Sequence, residues 1–398
     1  MLAERYIVPE HDWRDLQQIW RIRDPRRLRV RTTLVIPRHW LRWVPEKAEV
    51  VNARGTVTLR IGDRNAPPAV GTVLREGAEV STGANSFATL MLSNGSRIAL
   101  PSQSQVSVVR LRKYLINGAI DYRFNLERGR IDTKATPLTD PSGNVIINTP
   151  LAMTAVRGTE YTVAYDSALE STGTGVFEGT VAVSQRDGTH PELVPERFGA
   201  LTDAQGLSRK VELLAAPELK NPERVQTDDI VTFDLTPVPG ALGYHALLAG
   251  DAGFVESYDE QQSAAPHFEF RDVPNGNQFV RVSAIGEGNL HGLRQSYSFS
   301  RRLASIGAEA NETEDGFVFK WFGRGEGERH YRLQIFRDTP EGTPMVDEVG
   351  LTSKQATVRN LPAGVYFWRV AVFQSDSEGS VENWTEPEKL MISAPGGD

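Results

Sequence analysis

Any chemistry in this 398-residue chain must come from a short inventory: seven histidines, no cysteine, scattered carboxylates, and arginines in two unusual settings. The histidines, His11, His39, His190, His245, His267, His291 and His330, lie far apart. No two stand at the i, i+4 spacing that turns two imidazoles to one face of a helix, so a zinc site is not expected. The lack of cysteine rules out disulfides, thiolate metal ligands and a thiol nucleophile, and it suits an exported bacterial protein. There is no phosphate-cradling P-loop, no G-x-S-x-G elbow and no glycine-rich turn between a strand and a helix. The expectation is a protein with no catalytic residue, no cofactor and no metal. The oxygen-rich runs "TDD" (Thr227 to Asp229) and "SDSEGSVEN" (Ser375 to Asn383) have the hard donors calcium prefers, although loops of β domains are commonly acidic for solubility.

The first unusual setting is a basic run. Between Trp20 and Lys47, nine basic residues including Arg23, Arg26, Arg27, Arg29 and Arg31 face only Asp24 and Glu46. Those five arginines are the candidates for binding a polyanion, and the competing reading is a solvated basic face. A formal net charge of −7 argues against nucleic acid as a general partner, because phosphate neutralisation needs a basic surface.

The second setting is "NTPLAMTAVRGTEYTV", in which Arg157 and Gly158 interrupt an apolar, β-branched run. A stack of short strands has corners where glycine alone takes positive φ or admits a close backbone, which fits Gly83, Gly95, Gly129, Gly158 and Gly179. Arginine offers five donors in a planar fork, so Arg157 is expected to be buried at such a corner and paired with backbone carbonyls or with Glu127, Glu160 or Glu178.

The elements that position these residues follow from periodicity. Trp13, Leu16, Ile19 and Trp20 recur at helical spacing; beyond about Trp43 the chain alternates as short strands bounded by Asn-Gly, Asp-Gly and Gly-Thr pairs. "ALTDAQGLSRKVELLAAPELKNPERVQ", Ala200 to Gln226, reads as a connecting strand and a proline-punctuated linker. Two similar β units follow, with Tyr244 matching Tyr331 and Pro274 matching Pro362 at nearly the same interval. An all-β repeat of this size predicts two small sandwiches in tandem.

Three resemblances follow. From about Glu49 to Arg186, "VVNARGTVTL", "VGTVLREGAEVSTGANSFATLMLSNGSRIALPSQSQVSVV", "FNLERGRI", "VIINTPLAMTAVRGTEYTV" and "VFEGTVAVSQRDG" resemble in order and spacing the FecR domain of bacterial envelope proteins. The motif residues are Thr149, Pro150, Val156, Arg157, Gly158 and Thr159. The resemblance implies a periplasmic-type β module; the cytoplasmic segment and membrane helix of FecR regulators that relay iron-siderophore signals are lacking, so their mechanism does not carry over. The segment from Tyr6 to Leu41 resembles a degenerate LysM module, which holds N-acetylglucosamine glycans. That likeness implies strands at Tyr6-x-Val8 and at "TTLVIPRHWL", and it makes Tyr6, Asp12, Trp13 and Pro37 glycan-binding candidates. The bland alternative is a cap that packs Trp13, Trp20, Trp40 and Trp43 against the next domain. The C-terminal units resemble fibronectin type III domains through Trp321, "Y.L.I" (Tyr331, Leu333, Ile335), "LP.G..Y.WRV" and "W.EP" (Trp384, Glu386, Pro387); the first unit departs at Leu235 and Val280.

The expected architecture is mainly β: residues 1–46 LysM-like, 47–199 a FecR-like array of stacked short strands, 200–226 a linker, and 227–303 and 304–394 two Ig-like sandwiches. The expected function is a non-enzymatic scaffold or signal-relay protein of the periplasm or cell exterior. Its partners would be envelope proteins bound through the FecR-like and fibronectin-like domains, with peptidoglycan as a further candidate and self-association through sheet edges left open. No transmembrane segment is expected, and "MLAERYIVPEHD" lacks the apolar core of a signal peptide. Two rivals are a sensory accessory to an outer-membrane or other membrane receptor and a cytoplasmic polyanion binder.

Overall fold

The computed structural model describes all residues except 1, 25–26, 28–31, 139, 207, 221–224, 315, 377–378 and 394–398. The chain is mainly β and forms several sheets. It packs as two compact units, one of residues 1–218, 237–266 and 281–296, the other of residues 219–236, 267–280 and 297–398. The interval 227–303, read as one sandwich, thus contributes residues to both.

In the first unit, strands from Trp43–Pro45 to Ser208–Glu212 close into a barrel-like array. Alternation explains why: Val50, Leu59, Val80, Ile98 and Val106 point inward and are buried, while their sequence neighbours are more exposed. The long strand Ile120–Lys134 ties the array together. Its first half pairs with Gln105–Tyr114 and, in parallel, with Asn144–Asn148. Its second half pairs with Arg97–Leu100 and Glu160–Asp166. The strand Ser208–Glu212 lies in the interval read as linker and pairs with Phe198–Thr202.

At the start of this unit, Leu2–Tyr6 and Trp13–Ile19 are helical. Asp12 caps the second helix by accepting from the Arg14 and Asp15 amides, and Asp15 returns a bond to the Asp12 amide. Leu34 to Pro37 is not a strand, and Tyr6 ends a helix; of the strand pair a LysM fold implies, only the bridge Ile7 to Leu41 is present. The tryptophans do not form a buried cap either. Trp13 and Trp43 are 49% and 38% exposed, Trp40 stacks on His11, and Trp20 donates to the Val35 carbonyl.

In the second unit, a three-stranded sheet (Gly307–Thr313, Gly316–Phe322, Gln355–Val358) covers a sheet built on Glu328–Arg337 and Gly364–Asp376. Phe319, Trp321, Leu333, Ile335, Tyr366, Trp368 and Val370 form the core between them. Of the two faces of "GVYFWRVAVF", the one bearing Tyr366, Trp368, Val370 and Val372 is buried. The repeat extends to a hydrogen bond: Tyr366 Oη donates to the Pro362 carbonyl at 2.7 Å, and at the matching position Gln278 Nε2 donates to the Pro274 carbonyl at 3.1 Å.

Candidate functional site

The corner that carries Arg157 works through its backbone. Val156 is buried in the core, and the carbonyls of Arg157 and Thr159 accept from the amides of Leu138 and Ala135, which docks the segment 135–138 along the motif. Gly158 has φ +124°, and a Cβ there would lie 2.5 Å from Pro137 Cα. Thr149 is buried; its Oγ1 accepts from the Ala152 amide at 2.9 Å and meets Thr172 Oγ1 at 2.8 Å. Arg157 itself corrects the expectation. It is exposed, with no side-chain partner found among the described residues. Glu160 pairs with Lys134, Glu127 accepts from Ser107, and Glu178 is exposed.

The buried arginine is a different one. At Gly129, φ +81° and a register shift bend the long strand, and a Cβ would meet Gln103 O and Ser104 Cα at 2.6 Å. The next residue, Arg130, turns inside the first unit and is 8% exposed. Its NH1 lies 2.8 Å from His291 Nε2, its NH2 3.4 Å from Glu260 Oε2, and its Nε 3.4 Å from Asp132 Oδ2. Arg294 donates to Asp132 and lies over the Phe177 ring. Glu260 also accepts from the Ser102 amide at 2.9 Å and from His245 Nε2 at 2.8 Å. The two imidazoles meet edge to face at 4.9 Å.

Two guanidinium groups against two carboxylates leave the cluster neutral when both histidines are neutral. Burial alone would raise the carboxylates, but His245 and Arg130 bring Glu260 down to about 2, and Arg294 and Arg130 hold Asp132 far below the usual range. Burial, reinforced by the Arg130 charge, pushes both histidines down, His291 well below its ordinary value.

The geometry fixes proton positions. Arginine only donates, so His291 Nε2 is the accepting nitrogen and Nδ1 carries the hydrogen, donating to Ser283 Oγ at 3.2 Å. A base that already donates to the hydroxyl cannot take its proton, so Ser283 and His291 do not make an activated nucleophile. The Arg130 guanidinium lies where the two Nε2 atoms and Glu260 Oε2 converge, the place a metal ion would need. Among the described residues, no group of three or more His, Asp or Glu side chains is arranged to hold a metal. A cleft of about 620 Å³ opens beside the network, with Arg128, Tyr165, Asp166 and Gln262 on its walls next to Arg130 and His291.

The remaining candidates are spread out. Asp12 and Trp13 line a groove of about 590 Å³ with Leu16, Trp20 and Arg42, and neither Tyr6 nor Pro37 is part of it. Arg23 and Arg27 are exposed, and Arg27 pairs with Asp24 at 3.5 Å. Arg26, Arg29 and Arg31 lie outside the described residues. In the acidic runs, Asp229 pairs with Arg324 at 2.8 Å and Asp228 accepts from Asn383. Sequence reasoning singled out Gly129 but passed over Arg130 and Asp132. The available signal was "ERGRID", charges on both sides of a corner glycine in a strand rich in core residues.

The fold and site define a mainly β, multi-sheet protein whose buried charges are internally paired. Within it, residues 78–182 match the model of the FecR protein family. No curated protein sequence matches the chain. Among solved structures it is similar to a protein from Parabacteroides distasonis assigned as an anti-sigma factor, at 16% identity and TM-score 0.29 over 34% of this chain and 59% of that one, so it spans less than two thirds of that protein. It is also similar to a two-domain fibronectin type III segment of chicken tenascin, at 16% identity and TM-score 0.21 over 46% of this chain and all of that one. Among the described residues, no helix is long and apolar enough to cross a membrane.

Proposed function

We propose that the chain is a non-enzymatic protein of the bacterial cell envelope, periplasmic in location, whose FecR-type β array acts as a signalling accessory or scaffold by binding other envelope proteins. The observation that carries this reading is the FecR match lying on a closed array that presents Arg157 outward, while its buried charges are committed to one another. No bond is made or broken in this role: the cluster with the most titratable groups has its proton positions fixed by Arg130. The repeated C-terminal elements supply spacing and a further docking surface. Protease added to spheroplasts of the native cells tests the compartment. Digestion of the full-length protein without lysis is the expected result, and protection until lysis would overturn the reading.

The groove of the N-terminal segment favours a second, compatible role in holding peptidoglycan. Trp13, half-exposed with the Arg14 guanidinium over its ring, lines that groove, and a tryptophan is the kind of platform on which a sugar ring packs. Co-sedimentation of the full chain with purified sacculi, reduced by Trp13→Ala, is the expected outcome; no co-sedimentation leaves the segment without a glycan role.

A further inference from the structure

We propose that His291 is a proton-operated latch: uptake of a proton at its Nε2 breaks the contact with Arg130 and releases the segment Gly286 to Ser296 from the array within the first unit. The basis is geometric. At 2.8 Å from a guanidinium that never loses its hydrogens, a protonated Nε2 would set donor against donor and cation against cation. The groups around His291 do not relieve this. Arg130 and Asp132 come from the long strand, His245 from Gly243–Ala249, Glu260 from Ser257–Ser263, Arg281 from Gly276–Ile285, and Arg294 from its own strand. Asp132 is already engaged by Arg130 and Arg294, and Glu260 by His245, Arg130 and the Ser102 amide.

The segment stays paired with strand Gly276–Ile285, and what the latch holds is its seam with the array. Leu290 lies against the glycine floor formed by Gly173 and Gly199, where added Cβ atoms would come within 3.4 and 2.8 Å of it. The Leu293 amide donates to the Leu214 carbonyl at 2.8 Å, and Arg209 pairs with Glu287 at 2.7 Å on the surface. The neighbouring cleft has His291 on its wall, which gives protons a route to the ring.

The sign follows from linkage. A histidine held below its ordinary value of 6.5 makes the closed state bind fewer protons than the open one. The stabilisation is complete above pH 6.5 and is lost as pH falls toward the lowered value. The carboxylates cannot mimic this between pH 6.5 and 5, because Glu260 and Asp132 have ordinary values of 4.5 and 3.8 and are lowered further; His245, also lowered, is present in both the native chain and His291→Gln, so the difference between them isolates His291.

Hydrogen exchange of the full chain at pH 7, 6 and 5, corrected for intrinsic rates, tests the latch. The expected result is an opening constant for the Leu293 amide, which bonds the Leu214 carbonyl, that rises about ten-fold per pH unit below 6.5, with strand Arg97–Leu100 unaffected. In His291→Gln, which keeps an acceptor for Arg130 but cannot titrate, the slope should flatten. Equal slopes in the two proteins, or no slope in the native chain, would overturn the proposal. If the variant does not fold, the native chain decides through an NMR titration of its imidazoles: His291 gaining its proton at or above pH 6.5 with exchange unchanged is the contradicting result.

Discussion

A Cβ added at Gly158 would strike Pro137, while removing the side chain of Arg157 uncovers nothing. Gly158→Ala is therefore expected to cost about 1–3 kcal/mol, from positive φ and the close backbone, whereas Arg157→Ala should stay within about 0.5 kcal/mol. Paired urea melts check both, and equal losses would return Arg157 to a structural role. The residue types alone marked Gly158 as the corner glycine and misplaced only the Arg157 side chain, expected to be buried and paired. Arginine and glycine both fit a tight turn, and nothing local to the run distinguishes a guanidinium pointing in from one pointing out. The same ambiguity hid Arg130, whose partners His291 and Glu260 lie more than one hundred positions away in the chain.

At the scale of elements, threonines stitch the short strands together. Thr149 meets Thr172, and Thr154 meets Thr174 at 3.3 Å, all four buried. Thr149→Val removes the acceptor for the Ala152 amide and the partner of a buried hydroxyl, so a loss of about 1–3 kcal/mol is expected in a thermal or urea melt. Asp121, buried between Arg110 and Arg123, is a second such point. Burial would raise its carboxyl, but those two arginines hold it below its ordinary value, and Asp121→Asn should cost about 1.5–3 kcal/mol in the same measurement. Alternation and turn pairs made the strands legible, and the repeat made the matched Pro274 and Pro362 legible too. The segment Leu34 to Pro37 was misread because its β-branched residues fit a strand, but only the bridge Ile7 to Leu41 is present.

For the molecule as a whole, mainly β architecture followed from composition and periodicity. The assignment of residues 237–266 and 281–296 to the first unit had no local signature, since it depends on contacts such as Thr89 Oγ1 with the Val255 carbonyl at 2.9 Å. Acid should unfold the chain in two stages. Below pH 6.5 the buried histidines begin to withdraw their share of stability, and below about 4.5 Glu260, held near 2 when folded, adds its own. Urea midpoints measured at pH 7, 5.5 and 3.5 should fall at each step, and Glu260→Gln should lessen the second.

The proposed role as a protein-binding accessory is tested most directly by cross-linking in the native cells, with a photoreactive side chain placed at the exposed position Val109 of the array. The account predicts a discrete adduct with another envelope protein, weakened by Arg157→Ala in a chain whose melting is unchanged. Absence of any protein adduct, or adducts with nucleic acid alone, would contradict it.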